Sequence, residues 1–180
     1  MLEVEPPTSL EKTHMKPVRI GSKLIGVHSP AFIVAEAGVN HKGSLEAAKR
    51  MIDEASRAGA DAIKFQTYKA EKLVTKTAPV YWDDVEATAT QYAVFKRSKP
   101  FGEPEYRALF THAANVGITC LSTPFDLDAV QMLDGLGVPA FKIASADLTN
   151  YPLLRAVART GKPVILSTGA SVLVEVHAAV

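Results

Sequence analysis

FIVAEAGVNHKGS, Phe32 to Ser44, is the stretch on which the reading of the whole chain turns. Its first four residues, Phe32, Ile33, Val34 and Ala35, form an apolar run without polar alternation, as expected of a strand buried on both faces of a parallel sheet. Glu36, Asn40 and His41 then follow where that strand ends, with Gly38 and Gly43 freeing the turn and Ser44 set to cap a helix. A carboxylate at the end of a buried parallel strand is costly unless it is paired or used, so Glu36 marks a candidate site.

The pattern on either side repeats this unit. Leu45, Ala48, Met51, Ile52 and Ala55 recur at helical spacing up to Gly59, and Ala60 to Phe65 returns to an apolar strand. Strand, helix and strand in one short stretch make a βαβ unit with a right-handed crossover. Downstream, helices are expected over Glu105 to Val116, Leu127 to Leu136 and Tyr151 to Ala158, with another beginning near Val172. Strands are expected over Ile118 to Leu121, Ala140 to Ala144 and Val164 to Leu166, and Gly117, Gly137 and Gly161 close the helices before them. Between Tyr68 and Pro104 no period holds; this reads as a long βα loop with a short helix near Ala89 to Lys96. Its aromatic residues Tyr81, Trp82, Tyr92 and Phe95 either cover a substrate or pack on the domain.

Upstream, residues 1–17 are polar with three prolines and read as a flexible lead-in, and Val18 to Val27 reads as a hairpin about Gly21 and Ser22. Alternating strands and helices imply a parallel sheet with helices outside it. An open doubly wound sheet would carry a glycine-rich fingerprint at its first turn, which this chain lacks. Polar residues at the ends of all the strands favour the (β/α)8 TIM-barrel type, truncated after about five βα units, so residues 18–180 are read as the N-terminal part of a barrel domain.

At 180 residues and 47% hydrophobic content the chain is long enough to bury a core, which excludes a disordered protein. Its 20 basic and 19 acidic residues leave a net charge of +1, which argues against a general affinity for nucleic acid or a membrane surface. The single cysteine, Cys120, permits no internal disulfide, and no secretory or membrane-spanning segment is visible; a cytoplasmic location is expected.

The strand ends gather Glu36, Lys64 and Gln66, Ser122 and Thr123, Lys142, Ser145 and Asp147, and Ser167 and Thr168. Lys64 and Gln66 are two apart on one strand and so share a face. Lys142 stands between Phe141 and Ile143, where an unpaired ammonium is expensive. Two lysines converging on one cavity, with hydroxyl and backbone N–H donors beside them, call for a phosphate or carboxylate. A structural ion pair of a lysine with Glu36 or Asp147, or a Schiff base on either lysine, are the alternatives. His41 reads as a turn hydrogen-bonder rather than a metal ligand, since no second histidine stands at a matching strand end, and Cys120 as a small core residue.

AEAGVNHKGS (Ala35–Ser44), IKFQTY (Ile63–Tyr68), STPF (Ser122–Phe125), FKIAS (Phe141–Ser145), NYPLL (Asn150–Leu154) and KPVILSTG (Lys162–Gly169) together resemble the sialic acid (N-acetylneuraminate) synthases, from about Val18 onward. The resemblance implies condensation of phosphoenolpyruvate with an N-acylated hexose such as N-acetylmannosamine, giving a nine-carbon 3-deoxy-2-keto sugar acid and phosphate. It implies that Lys64, Thr123, Lys142, Ser145, Ser167 and Gly169 hold the phosphoenolpyruvate. Glu36 would act at the reacting carbons and Gln66 on the sugar side. It further implies a divalent metal, typically manganese, on histidines of later strands outside this chain, and a homodimer in which a C-terminal antifreeze-like domain lends an arginine to the partner's sugar site. Related synthases making legionaminic or pseudaminic acid or a spore-coat precursor share the template. A non-catalytic fragment with a phosphate half-site is the remaining reading, and the isolated chain is expected to be inactive.

Overall fold

The computed structural model describes residues 16–81, 89–98 and 100–180. Nearly all of the lead-in expected over residues 1–17, together with Trp82 of the aromatic loop set, lies outside them. The described chain opens with an antiparallel hairpin, β1 (Val18–Ile20) and β2 (Lys23–Ile25), turning at Gly21 with φ 57°. Then come β3 (Val34–Gly38), α1 (Leu45–Arg57), β4 (Ala62–Thr67), the short α2 (Ala70–Leu73), α3 (Gln91–Arg97) and α4 (Glu103–Asn115). The order continues with β5 (Thr119–Pro124), α5 (Leu127–Gly135), β6 (Phe141–Ile143), a 3-10 turn at Ser145–Asp147, α6 (Tyr151–Ala158), β7 (Val164–Leu166) and α7 (Leu173–Ala179).

β3, β4 and β5 form one parallel ladder and β6 and β7 another, and β6 packs beside β5. The five strands and their outer helices are a partial barrel of the TIM type. Its core lies between strands and helices, where Ile52, Phe65, Tyr106, Leu109, Leu133 and Leu153 are each at most 1% exposed. α1 places Ala48, Ile52 and Ala55 on the sheet, starts where Ser44 Oγ accepts from Ala47 N–H at 3.2 Å, and is tied to α4 by Asp53 and His112 at 2.6 Å. Asp126 caps α5, its Oδ1 accepting from Ala129 N–H at 2.9 Å.

Several sequence expectations shift. β4 and β5 run on to Thr67 and Pro124, past the expected ends at Phe65 and Leu121, because the parallel ladder between them continues to Thr67 and Pro124. The opening strand runs Val34–Gly38, not Phe32–Ala35, and Ile33 is 55% exposed. β3 pairs only with β4 among the described residues, which leaves one edge open, and Phe32, Val34 and Ala35 are half-buried, so the apolar run is not fully buried. The loop after β4 contains α2, four residues too short to show a period. Of its described aromatics, Tyr92 and Phe95 pack on the chain, whereas Tyr81 is 84% exposed. Tyr68 meets Phe95 edge-on at 5.6 Å between ring centres, and Tyr92 donates to Glu71 at 3.0 Å.

Opposite the strand C-terminal ends, the hairpin closes the base. Ile20 is 2% exposed within the core, and Lys23 pairs with Asp61 at 2.9 Å while Asp61 accepts from Ile33 N–H at 2.8 Å. A Cβ on Gly21 would stand 2.7 Å from Thr119 Oγ1, so only glycine permits this approach.

Candidate active site

Register decides which side chains meet. Glu36 is opposite Lys64 across β3 and β4, and Gln66 is opposite Thr123 across β4 and β5. Lys64 and Glu36 form an ion pair, with the lysine side chain 11% exposed and the carboxylate side chain 54% exposed. A bulge separates Glu36 from Gly38, whose φ is 54°. A Cβ on Gly38 would lie 3.4 Å from Glu36 Oε1 and 3.7 Å from Gln66 Nε2, so these two side chains converge over this residue, and its positive φ is what favours glycine there.

Lys142 reaches the same space from β6. Its Nζ donates to Ile143 O and to Ser167 Oγ, both at 2.6 Å, which ties β6 to the end of β7. Burial lowers the pKa of its ammonium, and the positive charge of Lys64 lowers it further, while Glu36 opposes the shift. Lys142 thus feels the charge of Lys64, a repulsion that an anion between them would relieve. Ser145 stands on the 3-10 turn after β6, and a Cβ on Gly169 would be 3.6 Å from its Oγ. Thr123, 2% exposed, completes the set at the end of β5. Of the sequence-selected residues, Glu36, Lys64 and Lys142 stand within β3, β4 and β6, Gln66 and Thr123 near the C-terminal ends of β4 and β5, and Ser145, Ser167 and Gly169 on the turns that follow β6 and β7.

Other strand-end residues face elsewhere. Ser122 is turned outward, hydrogen-bonded at 2.7 Å to Thr67 and at 3.2 Å to Tyr106, because it is in register with outward-facing Phe65. Tyr106 also donates to Gln66 O at 2.8 Å, so a helix residue not singled out in the sequence braces the strand that carries Lys64 and Gln66. A tyrosine within the apolar face of α4 was the available signal. His41 is 2% exposed and lies behind the sheet, stacked on Phe101 at 3.8 Å, with Nδ1 accepting from Gly43 N–H at 3.0 Å. That bond leaves the proton on Nε2, and burial holds the ring neutral by lowering its pKa. Asp147 pairs with neither lysine. Its Oδ1 accepts from Asn150 at 3.0 Å, and burial raises its pKa. Among the described residues no group of three or more His, Cys, Asp or Glu could hold a metal ion, so no metal-dependent step is derived from them. No helix among them is long and apolar enough to cross a membrane.

Residues 51–180 match the model of the NeuB family. The chain is 45% identical over 166 residues to an uncharacterized protein of Methanocaldococcus jannaschii, a match covering 92% of the chain and 46% of that protein. It is 40% identical over 163 residues to the N,N'-diacetyllegionaminic acid synthase of Legionella pneumophila, covering 89% of the chain and 46% of that enzyme. Among solved structures, it superimposes on the N-acetylneuraminic acid synthetase of Leptospira borgpetersenii, crystallised with citrate, with a TM-score of 0.80 and 37% identity, over 91% of the chain and 53% of that protein. The chain thus spans about half the length of the relatives it matches.

Proposed function

Because the chain belongs to the NeuB family, we propose that it is the N-terminal barrel portion of a protein that condenses phosphoenolpyruvate with an N-acylated hexose to a nine-carbon 3-deoxy-2-keto sugar acid and phosphate. The observation that carries this reading is the pair of lysines. Lys64 and Lys142 stand close enough for one to depress the pKa of the other, beside Ser145, Ser167 and a bare Gly169. Such a cluster suits a ligand with a phosphate at one end and a carboxylate at the other. Thr123 stands beside Gln66 to complete the wall, and Glu36 and Gln66 face the sugar.

In this proposal the enol carbon bonds to the aldehyde carbon, whose oxygen takes a proton to become a hydroxyl. Water adds to the resulting oxocarbenium carbon, and the C–O bond to phosphate breaks to leave the ketone. Lys64 and Lys142 hold the anion in place through these steps, and the Glu36 carboxylate faces the developing positive charge. The divalent metal, manganese by resemblance, would polarise the aldehyde from residues of the whole protein outside this stretch. A homodimer is proposed on the same ground.

The names of the relatives support a sugar acid as product and differ in which one: legionaminic for one, N-acetylneuraminic for another. The test uses the full-length protein. Phosphate release from phosphoenolpyruvate should require an N-acylated hexose and manganese, and should fall by at least about thirtyfold in Lys64→Ala and in Lys142→Ala, the scale for losing one partner of a desolvated charge pair. Near-normal turnover in both variants would remove the anion-site assignment. Borohydride with a carbonyl substrate should leave no reduced adduct on either lysine; an adduct would favour Schiff-base chemistry.

A further inference from the structure

We infer that Glu36 occupies the charge position of the substrate anion when that anion is absent, so that anion binding and release of the Glu36 carboxylate are coupled through Lys64. The inference rests on the anion-site reading above and adds to it a competition within the site. The two partners of the ion pair are unequal. The Lys64 side chain is 11% exposed on the middle strand of its ladder, whereas the Glu36 side chain is 54% exposed and borders water. A buried ammonium needs a counter-charge at all times; a half-exposed carboxylate does not. Lys142 is held differently, by a backbone carbonyl and a serine hydroxyl, both neutral. Glu36 is therefore the one carboxylate among the described residues that balances Lys64.

When an anion bridges Lys64 and Lys142, it supplies the charge that Glu36 supplied, and the carboxylate is left beside a second negative group. Repulsion then favours its departure from Lys64. Gln66 is the adjacent group that can receive it, since its Nε2 and Glu36 Oε1 both lie within 4 Å of the space above Gly38. Anion arrival would thus free Glu36 toward the sugar side, and Glu36 in turn would hold down the affinity for the anion.

The experiment is a calorimetric titration of the full-length protein with inorganic phosphate and with phosphoenolpyruvate, in wild type, Glu36→Gln, Lys64→Met and the double variant. Glutamine keeps the shape and removes the competing charge. Glu36→Gln should bind both anions about tenfold more tightly than wild type. In the Lys64→Met background the same change should alter affinity by less than about threefold, because the coupling passes through Lys64. Equal or weaker binding by Glu36→Gln beside a binding wild type overturns the competition alone. An equally large gain in the Lys64→Met background overturns the route through Lys64. Failure of both wild type and Glu36→Gln to bind either anion overturns the anion-site reading and the competition with it.

Discussion

Individual side chains show how finely the strand ends are sorted. Tyr106 is fully buried, its hydroxyl pKa pushed up to about 12 by burial, and it serves both Gln66 O and Ser122. Tyr106→Phe removes those bonds without changing shape, so urea unfolding should show a loss of ~1–3 kcal/mol, the cost of leaving buried polar groups unpaired. Lys142 makes a pH prediction. Its ammonium form binds an anion, and its pKa is lowered by burial and by Lys64, so phosphate affinity should decline with rising pH earlier than an ordinary exposed lysine would allow. A titration monitored across the alkaline range checks this; affinity flat up to the usual lysine range would contradict it. Cys120, whose thiol is raised by burial to about 12, should resist alkylation in the native protein and react only on unfolding. At this scale the sequence conveyed residue type and parity but not facing. Lys64 and Gln66 could be assigned to one face from their spacing, yet Ser122 read as a cavity hydroxyl until register with Phe65 turned it outward. The Glu36 ion pair was legible only as one of two carboxylate partners, with Asp147, open to a buried lysine.

The elements were legible to the extent that their periods were long. α6 and β7 fall on the residues their patterns indicate, and α5 differs by one residue at its end, because apolar spacing, a capping asparagine or aspartate and a following glycine all agree there. α2 was missed because four residues cannot display a helical repeat. β3 was displaced because an apolar run marks burial, and Phe32 and Ile33 precede the ladder that begins at Val34. The cap at α5 offers a direct test: Asp126→Ala should cost ~1 kcal/mol in chemical denaturation, with Asp126→Asn largely neutral, because the side-chain oxygen and not the charge makes the bond to Ala129 N–H.

For the molecule as a whole, the class of fold followed from alternation alone, but the extent of closure did not, since no local pattern records which strand an edge will meet. β3 and β7 each have one neighbour among the described residues, and Ile33, Val164, Leu173 and Val174 are between 43% and 70% exposed near those edges and on α7. The 180-residue chain on its own should therefore self-associate, visible as a concentration-dependent mass in light scattering; a monomer that unfolds cooperatively would contradict this. The hairpin at the base adds a matter of timing. Gly21 and Ile20 are synthesised roughly a hundred residues ahead of Thr119, against which the turn closes, an interval of about 5–20 s at ordinary elongation rates. Through that interval Ile20 lacks the β5 side of its core, so the hairpin can be fastened only after β5 has emerged.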